Sequence, residues 1–169
     1  LGKSFSGLSK RWMPLGHTRF CPLTGMRCHV WGIVKCVIAG RNREAGVFVN
    51  PHLQCTRSPE STPRAVGIEV RWGRSTIGMI SGYIQPETGV GLDDLAVLCQ
   101  VLKARTPFVF IGADINGHSP TWGPLDTTPN AQGILVEDFI IDADLEVLNC
   151  PNSLATFMPS NGRGTWIDV

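Results

Sequence analysis

The strongest constraint on the fold is an apolar segment, residues 108–118 (FVFIGADINGH), that ends in an Asp-x-Asn sequence. Its β-branched and aromatic residues predict a buried strand. Side chains two residues apart on an extended backbone point the same way, so Asp114 and Asn116 are expected to leave the strand end together. A carboxylate there can hold a hard cation or orient water, and an amide can bind a phosphate oxygen. A strand followed by an Asx-rich turn, without chemistry, is the alternative.

The composition is typical of one globular domain, because 169 residues with 43% hydrophobic side chains can bury a sizeable core. No apolar run approaches the roughly 20 residues of a membrane span, and the first residues show no charged segment followed by the apolar segment of a signal peptide. The six cysteines have no C-x-x-C spacing, which favours free thiols in a reducing compartment. We therefore expect an intracellular protein, nuclear or cytoplasmic, that is not secreted and has no membrane partner. The first residue is Leu, which suggests a piece of a longer chain.

The net charge of +1 hides a strong asymmetry between two parts of the chain. Residues 1–74 carry twelve Lys and Arg against three Glu, and residues 75–169 carry three against eleven acids. A basic part can follow a phosphate backbone, and an acidic part can hold cations. Two complementary halves of one surface would give the same pattern.

Apolar periodicity and turn residues divide the chain into short elements. Strands are predicted at residues 34–39, 45–49, 65–71, 76–84, 147–149, 155–158 and 166–169. Helices are predicted at residues 91–104 and 133–144, and polar loops at 56–63 and 119–130. Hairpin-like strands mixed with two separated helices predict an α+β layered domain.

Five segments carry a resemblance to a known family. They are SGYIQP (81–86), NGHSPTWG (116–123), AQG with the later LEVLN (131–149), ATF (155–157) and GTWIDV (164–169). In this order and spacing they resemble the endonuclease domain of non-LTR retrotransposons. That domain belongs to the endonuclease/exonuclease/phosphatase superfamily, which includes the apurinic endonucleases. The resemblance covers residues 44–169, and the basic residues 1–43 match poorly.

The resemblance implies a four-layer α/β/β/α sandwich of the DNase I-like type, incomplete at both ends in this chain. It also implies hydrolysis of a DNA phosphodiester with Mg²⁺ or Mn²⁺, in which one strand is nicked to prime reverse transcription. The expected partners are DNA and a reverse-transcriptase domain on the same polyprotein.

The resemblance also implies roles for four catalytic residues. Asp114 would bind the metal and orient or deprotonate the attacking water. Asn116 would hold a non-bridging phosphate oxygen or the metal shell, and Tyr83 would contact the scissile phosphate. Asp168 would sit beside a catalytic histidine and fix its tautomer. Without the resemblance, Tyr83 is interpreted as a half-buried aromatic residue that anchors the strand end. Asp168 would then be an ordinary acidic residue of a turn or strand edge.

Further residues are expected around the substrate. Thr156 and Thr165 would line the site, and Trp122 would either stack on a base or plug the core. His118 is interpreted as a residue that orders its loop, since it does not match the catalytic histidine of the family.

Part of the family pattern has no counterpart in the sequence. The Asn of the first strand, the metal-binding Glu and the final Ser-Asp-His are not found, so Asp114 is left as a partial metal site. The alternatives are therefore a catalytically dead remnant that binds nucleic acid non-specifically, a phosphatase of the same superfamily, or an interaction module whose acidic part meets a basic partner.

Overall fold

The computed structural model describes residues 44–50, 52–125 and 127–149, together with the backbone of three short strands between residues 17 and 38. In chain order the elements are β1 (His17–Phe20), β2 (Arg27–Val30), β3 (Lys35–Ile38), β4 (Gly46–Val49), β5 (Cys55–Arg57), β6 (Ala65–Trp72), β7 (Ser75–Tyr83), α1 (Leu92–Arg105), β8 (Phe108–Asp114) and α2 (Ala131–Asp142).

The central sheet has the strand order β5-β6-β7-β8. Strands β5, β6 and β7 are antiparallel neighbours, whereas β7 and β8 are parallel. The β6–β7 hairpin turns at Gly73, whose φ of +62° suits a residue without a side chain. Helix α1 supplies the crossover that a parallel pair requires. The strands β1–β2 and β3–β4 form two separate antiparallel hairpins.

Helix α1 packs on a part of the sheet that is rich in glycine. Acidic residues occupy its first turn and basic residues its last, as the helix dipole favours. A Cβ added at Gly67 would lie 2.9 Å from Leu98 Cδ2, and one added at Gly82 would lie 3.0 Å from Leu95 Cδ1. The helix therefore approaches the sheet closely because these strand positions have no side chain.

The opposite face of the sheet is covered by β4. Val66 packs against Ala45, while Ile68 and Val70 pack with Val49 in a second apolar cluster. Both faces of β6 are consequently buried. The described residues thus form three layers, a hairpin, a mixed sheet and two helices, which confirms the predicted α+β class.

Most predicted elements are confirmed within the described residues. The strands predicted at 34–39, 45–49, 65–71 and 76–84 correspond to β3, β4, β6 and β7, and α2 begins two residues before its predicted start because Asn130 caps it. Strand β5 was missed because its polar edge residues lack apolar alternation. The prediction at 147–149 is wrong: this segment is irregular, and Val147 packs against the core. The predictions at 155–158 and 166–169 lie outside the described residues.

Other sequence predictions are partly tested. Cys55 and Cys99 are free thiols, and burial raises the pKa of the Cys99 thiol. None of the helices in the described part of the chain is long and apolar enough to cross a membrane. The division into residues 1–43 and 44–169 stays a prediction.

The packing of α1 can be tested by truncating its buried face. Leu98 is fully buried and its neighbour Val97 is 52% exposed. We expect Leu98→Ala to lower the free energy of unfolding by about 2–5 kcal/mol, because it removes apolar contact and leaves a cavity. Val97→Ala, the control, should change it by less than about 0.5 kcal/mol. Urea unfolding measures both values, and equal losses would contradict this packing.

Candidate active site

The predicted site residues Tyr83 and Asp114 are brought side by side. They are the last residues of β7 and β8, and the parallel register places each opposite the other. Paired residues on neighbouring strands project from the same face of a sheet. Both are partly buried, and the backbone N–H of Ile84 donates to the Asp114 carbonyl at 2.9 Å. A phenol and a carboxylate therefore share the carboxyl-terminal edge of the sheet.

The backbone at Asn116 departs from the extended conformation that strand alternation assumes. Strand β8 ends at Asp114, and Asn116 has a left-handed φ of +48°. The extended backbone therefore ends before Asn116, and the shared direction of the Asp114 and Asn116 side chains stays a prediction. The Asn116 amide Nδ2 donates to the Ile84 carbonyl at 3.1 Å. Asn116 thus ties the segment after β8 to the end of β7.

Arg64 joins the same edge, although sequence reasoning missed it. The Tyr83 N–H donates to the Arg64 carbonyl at 2.8 Å, so pairing continues one residue beyond β6. The Arg64 side chain forms an ion pair with Glu44, in which Nε and Oε2 are 2.7 Å apart. The sequence contains the information needed to find Arg64. If the hairpin turns at Gly73, counting back along its two strands places residue 64 opposite residue 83.

Helix α2 holds the loop that follows β8. Asn130 Oδ1 accepts hydrogen bonds from the His118 N–H at 3.0 Å and from the Gly133 N–H at 2.8 Å. The Gln132 side chain, which is 5% exposed, donates from Nε2 to the Ile115 carbonyl. The N-cap of α2 and the loop are therefore one hydrogen-bonded unit, as expected for an Asn cap that also satisfies a neighbouring backbone donor.

Trp122 is part of the core. Its indole is fully buried, and Nε1 donates to the Gly117 carbonyl at 3.2 Å. The prediction that Trp122 binds substrate is wrong, because a ring without exposed surface cannot stack on a base. Its burial agrees with the other interpretation, in which the Trp122 ring fills space in the hydrophobic core.

Glu137 of α2 binds two hydroxyls of the same loop. The Ser119 and Thr121 hydroxyls both donate to Glu137 Oε1, the latter at 2.7 Å. These hydrogen bonds lower the pKa of the Glu137 carboxyl, since they stabilise its ionised form. The loop is thus held by a charged acceptor in addition to the Asn130 cap.

The remaining site predictions lie outside the described residues. Asp168, Thr156 and Thr165 are in this group, so their roles stay predictions. Within the described ranges no group of three His, Cys, Asp or Glu could hold a metal. Mg²⁺ is commonly held by one or two carboxylates, several waters and substrate phosphates. The Asp114 carboxylate fits as one such ligand.

Comparison with solved structures identifies the fold. The endonuclease domain of TRAS1, a telomere-specific non-LTR retrotransposon, aligns with a TM-score of 0.66 and 20% sequence identity. The match covers 80% of this chain and 64% of that chain, so this chain spans less than two thirds of the known domain. At this identity the likeness shows the fold, and the predicted endonuclease/exonuclease/phosphatase type is confirmed.

The family follows from the sequence comparison. A model of the endonuclease–reverse transcriptase family matches residues 77–169, which is more than half of the chain. The chain belongs to this family, and the resemblance found in its sequence is confirmed. No curated protein sequence matches the chain significantly.

The contact between α2 and its loop can be tested at Gly133. A Cβ on Gly133 would overlap the His118 carbonyl oxygen, whereas one on Gly112 would meet no described atom within 4 Å. We expect Gly133→Ala to lower the free energy of unfolding by about 1–3 kcal/mol through overpacking. Gly112→Ala should leave it nearly unchanged. Thermal and urea unfolding of both variants measure these changes. An unchanged free energy of unfolding in Gly133→Ala would contradict the close contact between Gly133 and the His118 carbonyl.

The Glu137 contacts predict a pH dependence of stability. Since the pKa of Glu137 is lower in the folded state, its contribution is complete above the unfolded pKa of about 4.3 and is lost as pH falls through the folded value. The difference in urea midpoint between the wild type and Glu137→Gln should therefore shrink from about pH 6 to about pH 3. Asp138→Asn, at an exposed neighbour, is the control. A difference independent of pH would contradict this role.

Proposed function

We propose that this chain is a DNA-nicking endonuclease domain that hydrolyses one phosphodiester with the help of Mg²⁺ or Mn²⁺. The observation that supports the proposal is the in-register pairing of Tyr83 with Asp114 at the ends of two parallel strands. Ligand sites in α/β sheets commonly lie at the carboxyl ends of parallel strands. Membership of the endonuclease–reverse transcriptase family supports the same reaction.

The two side chains have complementary tasks in phosphodiester hydrolysis. Water must attack phosphorus opposite the leaving 3′-oxygen, and negative charge grows on the non-bridging oxygens. The Asp114 carboxylate would orient the water and accept its proton. The Tyr83 hydroxyl would donate to a non-bridging oxygen as its charge increases. A metal ion held in part by the Asp114 carboxylate would supply positive charge that offsets the negative charge developing on the phosphate.

The surrounding residues position these groups. Asn116 and Ile84 connect the two strand ends by hydrogen bonds. Asn130 and Gln132 fix the loop after β8 from the other side. We therefore assign Asn116 a positioning role in addition to any contact between its remaining amide groups and phosphate. A site held by rigid elements keeps the near-attack geometry that catalysis requires.

The biological setting follows from the reaction. We propose that the nick supplies a primer for a reverse-transcriptase domain on the same polyprotein, and that the domain acts on DNA inside the cell. The expected free thiols at Cys55 and Cys99 agree with a reducing compartment. Asp168 would support the site as the resemblance implies.

Conversion of supercoiled plasmid to open circles tests the proposal. The chain is incubated with Mg²⁺, with Mn²⁺ or with EDTA, beside Asp114→Asn and Tyr83→Phe. We expect nicking to need metal, to fall about 10²–10⁴-fold without the Asp114 carboxylate, and to fall about 10²-fold without the Tyr83 hydroxyl.

Asp138→Asn is the matched control, because it removes an exposed carboxylate of α2 and should nick like the wild type. Folding of every variant is confirmed by circular dichroism. A folded wild type that binds DNA without nicking it would contradict the proposal and indicate the binding-only remnant. Release of phosphate from a phosphomonoester without nicking would indicate the phosphatase.

A further inference from the structure

Arg64 lies next to Tyr83 at the edge of the sheet that carries the candidate site. Arg64 immediately precedes β6 and its carbonyl accepts a hydrogen bond from the Tyr83 N–H, while the parallel register of β7 and β8 sets Tyr83 opposite Asp114. Tyr83 and Asp114 are directly opposed strand residues and therefore project from the same face of the sheet. Neighbouring strands lie about 4.8 Å apart, so the backbone of Arg64 lies about 10 Å from the backbone of Asp114, two strands away. The long Arg64 side chain can shorten the distance between the two charged groups.

The backbone of Arg64 is fixed on both sides. Its N–H donates to Thr62 Oγ1 at 3.2 Å, and its carbonyl accepts from Tyr83. The Thr62 hydroxyl in turn donates to Asp94 in the first turn of α1 at 3.0 Å. Arg64 is therefore presented by a rigid junction between the sheet and α1, as a preorganised binding residue must be.

The Arg64 guanidinium forms an ion pair with Glu44, but this contact does not use all of its N–H donors. Its contact with Glu44 uses Nε, and the two side chains retain exposed fractions of 31% and 35%. A guanidinium has five N–H donors in a planar fork that matches a phosphate. The described residues make no hydrogen bond to its Nη groups, which leaves donors for an anion. A partly exposed ion pair of this kind typically contributes only about 0–1 kcal/mol to stability.

We propose that Arg64 binds a DNA backbone phosphate next to the scissile one, and that Glu44 competes with the DNA for this guanidinium. The inference rests on the proposed function, since it assigns a substrate contact to the same site. A DNA strand laid across this edge of the sheet would place one phosphate at Tyr83 and Asp114 and the next towards Arg64. Glu44 would weaken binding by occupying the cation and by repelling the phosphate.

The test compares two substitutions that should act in opposite directions. Binding of a fluorescein-labelled 20-base-pair duplex is followed by anisotropy in EDTA, at several salt concentrations. Arg64→Gln should weaken binding and reduce the slope of log Kd against log salt by about 0.9, because one phosphate contact is lost. Glu44→Gln should tighten binding by about two- to tenfold, because the guanidinium is released. A purely structural ion pair would make both variants equally weak or leave both unchanged.

Two further variants serve as controls. Arg74→Gln removes the same charge from the turn at the far end of the β6–β7 hairpin, roughly 25 Å along the strand, and should leave the salt slope closer to the wild-type value. Arg64→Lys keeps the charge without the planar fork and should recover the slope but only part of the affinity. Urea unfolding shows whether each variant is folded.

Nicking kinetics separate this inference from the proposed function. If the wild type nicks plasmid, Arg64→Gln should raise KM with little change in kcat, since the contact exists before and during the reaction. Wild-type nicking with unchanged salt slope and KM in Arg64→Gln would overturn the inference and leave the proposed function intact. A folded wild type that neither binds nor nicks DNA would overturn both.

Discussion

The candidate site depends on the parallel pairing of β7 and β8. Because the side chains of a strand alternate, a slip of one residue would turn either Tyr83 or Asp114 towards α1. The register is held by buried groups on the helix side, where Gly82 and Ala113 lie under Leu95. The apolar packing that stabilises the sheet therefore also sets the positions of the polar residues at its edge.

Close contacts made possible by glycine connect this edge to both helices. Gly82 allows α1 to rest on β7, and Gly91, with a φ of +109°, lets the helix begin against the Tyr83 carbonyl. Gly133 and Gly117 do the same for α2 and the loop after β8. Larger side chains would separate the elements by some tenths of an ångström or more, and the strand ends would lose their mutual positions.

The sequence predicts the elements of this site better than their arrangement. Apolar periodicity locates β8 and both helices, because each buries one regular face. It does not extend to Asn116, whose left-handed backbone lies beyond the end of β8, or to Trp122, whose burial depends on distant packing. Arg64 has no local signature, since its place beside Tyr83 arises from hairpin register. The strand end alone indicates a carboxylate at Asp114 that can hold a cation or orient water, whereas the catalytic role of Tyr83 rests on the family resemblance.

The central claim is that Asp114 and Tyr83 form one cation- and phosphate-binding edge of the sheet. The most direct test is a titration of the ¹⁵N-labelled chain with Mn²⁺, in which the paramagnetic ion broadens nearby amide signals in NMR spectra. We predict early, selective broadening at the ends of β7 and β8, and its loss in Asp114→Asn. Broadening first on the acidic surface of α2, unaffected by Asp114→Asn, would contradict the claim.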